Sequence, residues 1–77
     1  MSDDILRRLD GVLVDRRQAD PADSYVAGLH VSGIDRILRK LGEECTETVV
    51  ASKNGECDAI VSETADLWFH SLVMLSH

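Results

Sequence analysis

Long apolar runs are absent from this 77-residue chain. No stretch approaches the ~20 apolar residues that a membrane-spanning helix needs, so a helical membrane protein is excluded. The opening "MSDDILRRLDG" starts acidic and has no apolar core of the kind that marks a secretory signal. A cytoplasmic protein is the expectation. Positive charge is also scarce. Eight lysines and arginines stand against fourteen aspartates and glutamates, a net charge of −6. Binding a nucleic-acid backbone needs a basic surface, so nucleic acid is not the expected partner, and a phosphorylated ligand would need local help from cations. There are only two cysteines, Cys45 and Cys57, too few for a disulfide framework and without the C-x-x-C spacing of a zinc site. Both are expected to be reduced, with Cys45 a small core residue. Glycine-rich phosphate loops, repeats and low-complexity tracts are missing as well. Nothing points to flavin, haem or a nucleophilic cysteine.

What remains is an ordinary globular composition, 44% apolar and 29% charged. At this length the chain forms one domain, residues 1–77, and buries only roughly 60% of the surface its unfolded form exposes. Its own core is marginal, and a partner subunit is expected to complete it.

Four segments have helical character. Ile5, Leu6, Leu9, Val12 and Leu13 recur at helical spacing, with Asp3 and Asp4 well placed at the N-terminus of that helix. "RRQADPADSY" breaks the pattern, with Pro21 disfavouring helix at Asp20. A short helical piece from Tyr25 to His30 follows. Ser32 then looks like an N-cap with Asp35 as its capping-box partner. From there Ile34, Ile37, Leu38, Leu41, Cys45, Val49 and Ser52 form one stripe of helical period. "KNG" (Lys53 to Gly55) supplies a basic last turn and a glycine stop. A fourth helix begins near Cys57 or Asp58 and continues to the end. Short connections favour antiparallel neighbours, so the third and fourth helices should form a hairpin within an all-α antiparallel bundle.

The acids are distributed tellingly on that hairpin. At about 100° per residue, Glu44 and Glu47 border the apolar stripe of the third helix, while Glu43 points away from it. The fourth helix is apolar nearly all round, which predicts burial. Its remaining strip, opposite Trp68, carries Glu63, Asp66 and His70. Unpaired buried carboxylates are costly, so they are normally paired or bound to metal. E-x-x-E (Glu44, Glu47) followed by E-x-x-D (Glu63, Asp66) puts two acids on each arm of the hairpin. Four such side chains suit Mg²⁺, or Mn²⁺, both hard cations that prefer oxygen. A divalent ion in such a cage typically meets phosphate. His70 would orient Asp66 one turn away or contact substrate. For each acid the alternative is a solvated helix face, and for His70 a hydrogen-bonded structural histidine.

"ADPADSY" with Leu29 and Gly33, then "KLGEECTE", "ASKNG" and "ETADLWFH", resemble the phosphoribosyl-ATP pyrophosphohydrolase family, within the MazG-like all-α NTP pyrophosphohydrolase superfamily. The resemblance spans about Leu9 to Leu75. It implies Mg²⁺-dependent hydrolysis of phosphoribosyl-ATP to phosphoribosyl-AMP and pyrophosphate, the second step of histidine biosynthesis, by a homodimer. It further implies that Glu44, Glu47, Glu63 and Asp66 are the metal-binding acids, and that Glu43 assists from the periphery. Lys40 and Lys53, with Arg16 or Arg17, match positions for binding phosphate. Ser24 and Tyr25 belong to the "SY" motif and are candidates for substrate contact. Val26 stands where the family often has Thr, so a hydroxyl contact is lost there. Family members usually continue into a further C-terminal helix, whereas this sequence stops at His77; either a helix is missing, which would weaken a dimer, or a flexible tail follows. As catalyst, Glu44 or Glu47 would orient the attacking water or accept its proton. Two rivals remain: a house-cleaning pyrophosphohydrolase of free nucleoside triphosphates, and a helical interaction module without activity. A structural metal-binding bundle lies between them.

Overall fold

A computed structural model describes residues 3–77, so Met1 and Ser2 of the opening acidic stretch lie outside it. Four helices occur, α1 (Asp3–Arg16), α2 (Tyr25–Ser32), α3 (Ile34–Asn54) and α4 (Cys57–Ser76), with no strand among the described residues. None of these helices is long and apolar enough to cross a membrane. The fold is all-α, as expected.

α3 and α4 make the most extensive contact and form the predicted hairpin. Gly55 ends α3 at φ 77°, in the left-handed region, with its N–H donating to the Ala51 carbonyl. This is the glycine stop that the sequence predicted. Helix resumes at Cys57, and the chain returns antiparallel. Residues equally distant from Gly55 are therefore brought together: Ile37 and Val73 in the core, Glu44 and Asp66, and Glu47 and Glu63.

α2 begins on Ser24, whose side-chain oxygen accepts from the Ala27 N–H at 3.2 Å. The turn before it is fixed by Asp20, whose carboxylate accepts from the Ala22 N–H at 2.9 Å. Between α2 and α3 the sequence reading needs correction. Ser32 is the last residue of α2, and the N-cap of α3 is Gly33. Gly33 sits at φ 93° and ψ 174°, a conformation open essentially to glycine alone. Its N–H closes α2 onto the Leu29 and His30 carbonyls, while its own carbonyl accepts from Ile37. One residue thus ends one helix and starts the next. The Ser32 hydroxyl instead accepts from Arg36 at 3.1 Å.

The core is small: Leu13 from α1, Val26 and Leu29 from α2, Ile37 from α3 and Val73 from α4. Leu9, Phe69, Leu72 and Met74 pack around it. The face that α3 buries is Ile37, Glu44 and Ala51, not the stripe centred on Leu41, Cys45 and Ser52. Cys45 is an exposed free thiol, as is Cys57, which overturns its reading as a core residue. Leu38 and Val49 of the predicted stripe also face outward. Nor is α4 buried all round: Val61, Trp68 and Leu75, spaced seven apart, are 69%, 52% and 75% exposed. The described residues do not cover both faces of each long helix. Alongside that stripe, α1 and α4 frame an open apolar groove of about 460 Å³, floored by Leu9, Phe69 and Leu72.

Candidate metal and substrate site

The hairpin brings the E-x-x-E and E-x-x-D acids together. Glu44 is buried, Glu63 half-buried and Asp66 exposed, and one carboxylate oxygen from each lies within 4.8 Å of the others. Oε2 of Glu44 and Oε2 of Glu63 are shielded from solvent without a hydrogen-bond partner. Ionised carboxylates only accept hydrogen bonds, so this packing gives each of them no donor from its neighbours. Burial, then the nearby Glu47, push the Glu44 carboxyl above its ordinary range. For Glu63 the order reverses, with Glu47 first and burial second. The like charge of a neighbouring carboxylate opposes ionisation, and a hydrogen bond between two carboxyls requires one of them to hold a proton, so Glu47 acts upward on both. Glu47 itself is exposed and stands outside the tight trio.

These oxygens fit a hard divalent cation. The trio contains no sulfur or imidazole, its buried oxygens lack donors, and its charge is poorly compensated by the protein itself. The nearest cation is Lys40, whose Nζ lies 3.3 Å from Glu43 and 3.8 Å from Glu44. The hydrogen bond to Glu43 is the main reason its ammonium is held above the ordinary lysine range. Glu43 is thereby a peripheral partner of Lys40, in keeping with its outward angle.

His70 is buried, and both of its ring nitrogens are engaged. Nδ1 lies 2.7 Å from the Asp66 backbone carbonyl, and Nε2 lies 2.7 Å from the Tyr25 hydroxyl. It orients the segment that carries Asp66 through the main chain, not through the carboxylate. The rings of Tyr25, Phe69 and His70 form one wall, with Phe69 and His70 edge to face at 5.2 Å.

Other predicted residues fall elsewhere. Ser24 is buried and caps α2. Lys53 follows Glu44 by nine residues, about 900° of helix, and so emerges on the opposite side of α3. Arg16 is exposed at the end of α1. Its neighbour Arg17 donates to the Ser76 carbonyl at 2.8 Å, tying α1 to the end of α4. One residue went unread in the sequence. The Thr48 hydroxyl reaches the Glu44 carbonyl at 2.8 Å and the Glu63 carbonyl at 3.1 Å, clipping the two arms of the hairpin beneath the acids. A threonine one turn after an inward-facing glutamate was its available signal, since mid-helix Thr commonly bonds back to residue i−4.

Comparison with known proteins identifies the family. The family model described as phosphoribosyl-ATP pyrophosphohydrolase matches residues 6–77. A protein of Hydrogenovibrio crunogenus (strain DSM 25203 / XCL-2) named phosphoribosyl-ATP pyrophosphatase is 53% identical over 81 aligned positions, covering 100% of this chain and 72% of the relative.

Proposed function

The chain belongs to the phosphoribosyl-ATP pyrophosphohydrolase family, and from that membership we propose how its acids and Lys40 divide the work of catalysis. It is a hydrolase that converts phosphoribosyl-ATP to phosphoribosyl-AMP and pyrophosphate in histidine biosynthesis. Residues 1–77 act as one catalytic domain, with the cytoplasm as its compartment.

Glu44, Glu63 and Asp66 hold a divalent cation, Mg²⁺ or in its place Mn²⁺, and Glu47 completes the set from its outer edge. Such an ion, when bound, neutralises triphosphate oxygens and makes a water more acidic. The observation that carries this reading is the convergence of three carboxylate oxygens within 4.8 Å, two of those residues having a buried oxygen without a donor. In the reaction a water oxygen bonds to phosphorus and the bridging bond between the α and β phosphates breaks. Pyrophosphate departs with the electron pair. Glu47, exposed and outside the trio, accepts the water proton, with Glu44 as the alternative base. Lys40 faces growing negative charge with an ammonium that Glu43 keeps oriented. Lys53 emerges on the opposite side of α3 from Glu44, so it and the exposed Arg16 act at most on the outlying phosphates.

A second copy of the chain covers the Val61, Trp68 and Leu75 stripe and the adjoining groove, giving a homodimer. Heptad-spaced apolar side chains on an exposed helix are what a partner helix packs against, and the small core supports the need for one. Sedimentation of wild type and Trp68→Glu tests this. The wild type should run as a dimer and the variant as a smaller species, while a monomeric wild type refutes it.

The function itself is tested by pyrophosphate release from phosphoribosyl-ATP with Mg²⁺, beside ATP and dUTP, for wild type and Glu47→Gln. Release from phosphoribosyl-ATP, lost in the variant and in excess chelator, is expected. Equal release from ATP or dUTP would instead mark a house-cleaning enzyme. Undiminished release in chelator would refute the metal site.

A further inference from the structure

His70 settles the polarity of the Tyr25 hydroxyl, and that polarity restricts what Tyr25 can recognise. A neutral imidazole has one N–H and one acceptor nitrogen. The Asp66 backbone carbonyl can only accept, so at 2.7 Å it takes the proton on Nδ1. Nε2 is then the acceptor, and the Tyr25 hydroxyl, 2.7 Å away, donates to it. The phenol's only proton is therefore committed inward. Its oxygen keeps its lone pairs on a side chain that is 49% exposed. The arrangement is held firmly, because His70 is only 5% exposed and wedged edge-on against Phe69.

An oxygen in this state cannot donate to a phosphate. It can only accept, and the ionised phosphates of the substrate offer no proton. The donors that the substrate does carry are its ribose hydroxyls and an N–H on its base, and of these the ribose hydroxyls lie next to the phosphates. Through His70 the Tyr25 hydroxyl is tied to the segment that carries Asp66, and the Lys40 ammonium, 3.8 Å from Glu44 of the same acid cluster, marks the side on which phosphorylated groups approach. Resting on the function proposed above, we infer that Tyr25 is a specificity-determining residue that accepts a hydrogen bond from a ribose hydroxyl of the substrate, with His70 as its positioning residue. The hydroxyphenyl ring thus distinguishes the sugar-bearing part of the substrate from the pyrophosphate that leaves.

Calorimetric binding separates the two halves, at pH 8 where a histidine is ordinarily neutral. Phosphoribosyl-AMP and Mg²⁺-pyrophosphate are titrated into wild type and Tyr25→Phe, a variant that removes one oxygen from a half-exposed residue. The variant should bind phosphoribosyl-AMP about three- to tenfold more weakly, the worth of one ordinary hydrogen bond, with pyrophosphate unchanged. In turnover of phosphoribosyl-ATP the loss should appear in KM with kcat kept. Substrates lacking single ribose hydroxyls complete the test. One of them should cost the wild type a similar factor and cost Tyr25→Phe nothing more. Unchanged phosphoribosyl-AMP binding, an equal loss for pyrophosphate, or the same sensitivity to every deoxy substrate in both proteins would overturn the inference. A folded wild type that neither binds phosphoribosyl-AMP nor hydrolyses phosphoribosyl-ATP would remove the proposed function, and the inference with it.

Discussion

Replacing Glu44 by glutamine should stabilise the metal-free protein while abolishing its response to metal. In the folded chain Glu44 is 7% exposed, with oxygens of Glu63 and Asp66 within 4.8 Å and Lys40 at 3.8 Å. Two unit charges at 4.8 Å interact by about 0.9 kcal/mol in water and about 3.5 kcal/mol at an effective dielectric of 20. Lys40 offsets roughly one of the two repulsions on Glu44, leaving one uncompensated, together with the desolvation of Glu44 itself. Asp66 is exposed and Glu63 only half-buried, so screening favours the lower figure, and the net gain for Glu44→Gln is about 1 kcal/mol. In a domain of this size that is roughly 4–8 °C in Tm. The sign with pH follows from the raised carboxyl. The folded state holds its proton above the ordinary glutamate range, so this contribution is fully present below that range and is lost as pH rises through the folded value. The variant's advantage should therefore be seen at pH 8 and shrink toward pH 4. Adding Mn²⁺ at a hundred times its dissociation constant should raise the wild type by about 2.7 kcal/mol and the variant by much less. Melts in chelator and in Mn²⁺ provide the four numbers. A variant that melts below wild type in chelator, or equal metal-induced shifts in the two proteins, would refute both the repulsion and the site.

Three further outcomes are expected. Thr48→Val keeps the shape and removes the clip between α3 and α4, and should cost about 1 kcal/mol in a denaturant titration, with the Mn²⁺-induced stabilisation reduced because Glu44 and Glu63 are less well held. Gly33→Ala forces a Cβ into a backbone region that only glycine adopts readily, and should cost about 1–3 kcal/mol even though the space around it is open. His30 stacks on His77 at 5.3 Å, and burial, then His77, then Arg17 hold its imidazole below the ordinary range. A depressed histidine leaves the unfolded chain binding the proton first, so stability should fall as pH drops from about 7 toward 5. Melts of His30→Gln over the same range should fall less steeply, and an equal slope would refute that assignment.

Much of this molecule is legible in its sequence because a helical hairpin is a simple mirror. Once Gly55 is taken as the turn, Glu44 must meet Asp66 and Glu47 must meet Glu63, whatever else the chain does. The same counting pairs Ile37 with Val73, the fully buried contact below the site. What periodicity misjudged was the face of α3. Its apolar residues serve two surfaces: Ile37 and Ala51 turn toward α4, while Leu38 and Val49 remain outside. A single stripe drawn through all of them lies between the two faces, and it assigned Cys45 to a core that it does not enter. The error had a direction. It put Glu44 at the border of the packed face when Glu44 stands within it, and a carboxylate is hydrophilic enough to pull any hydropathy average away from its own position. α4 misled in the opposite way, being apolar all round because it too has two faces to cover. Both misreadings have one cause, since each long helix carries more apolar surface than the described residues cover. On α4, the side chains that defeated the periodicity argument are the ones that the proposed second subunit would cover. The acids could be found without that subunit, because their geometry is set within the hairpin alone.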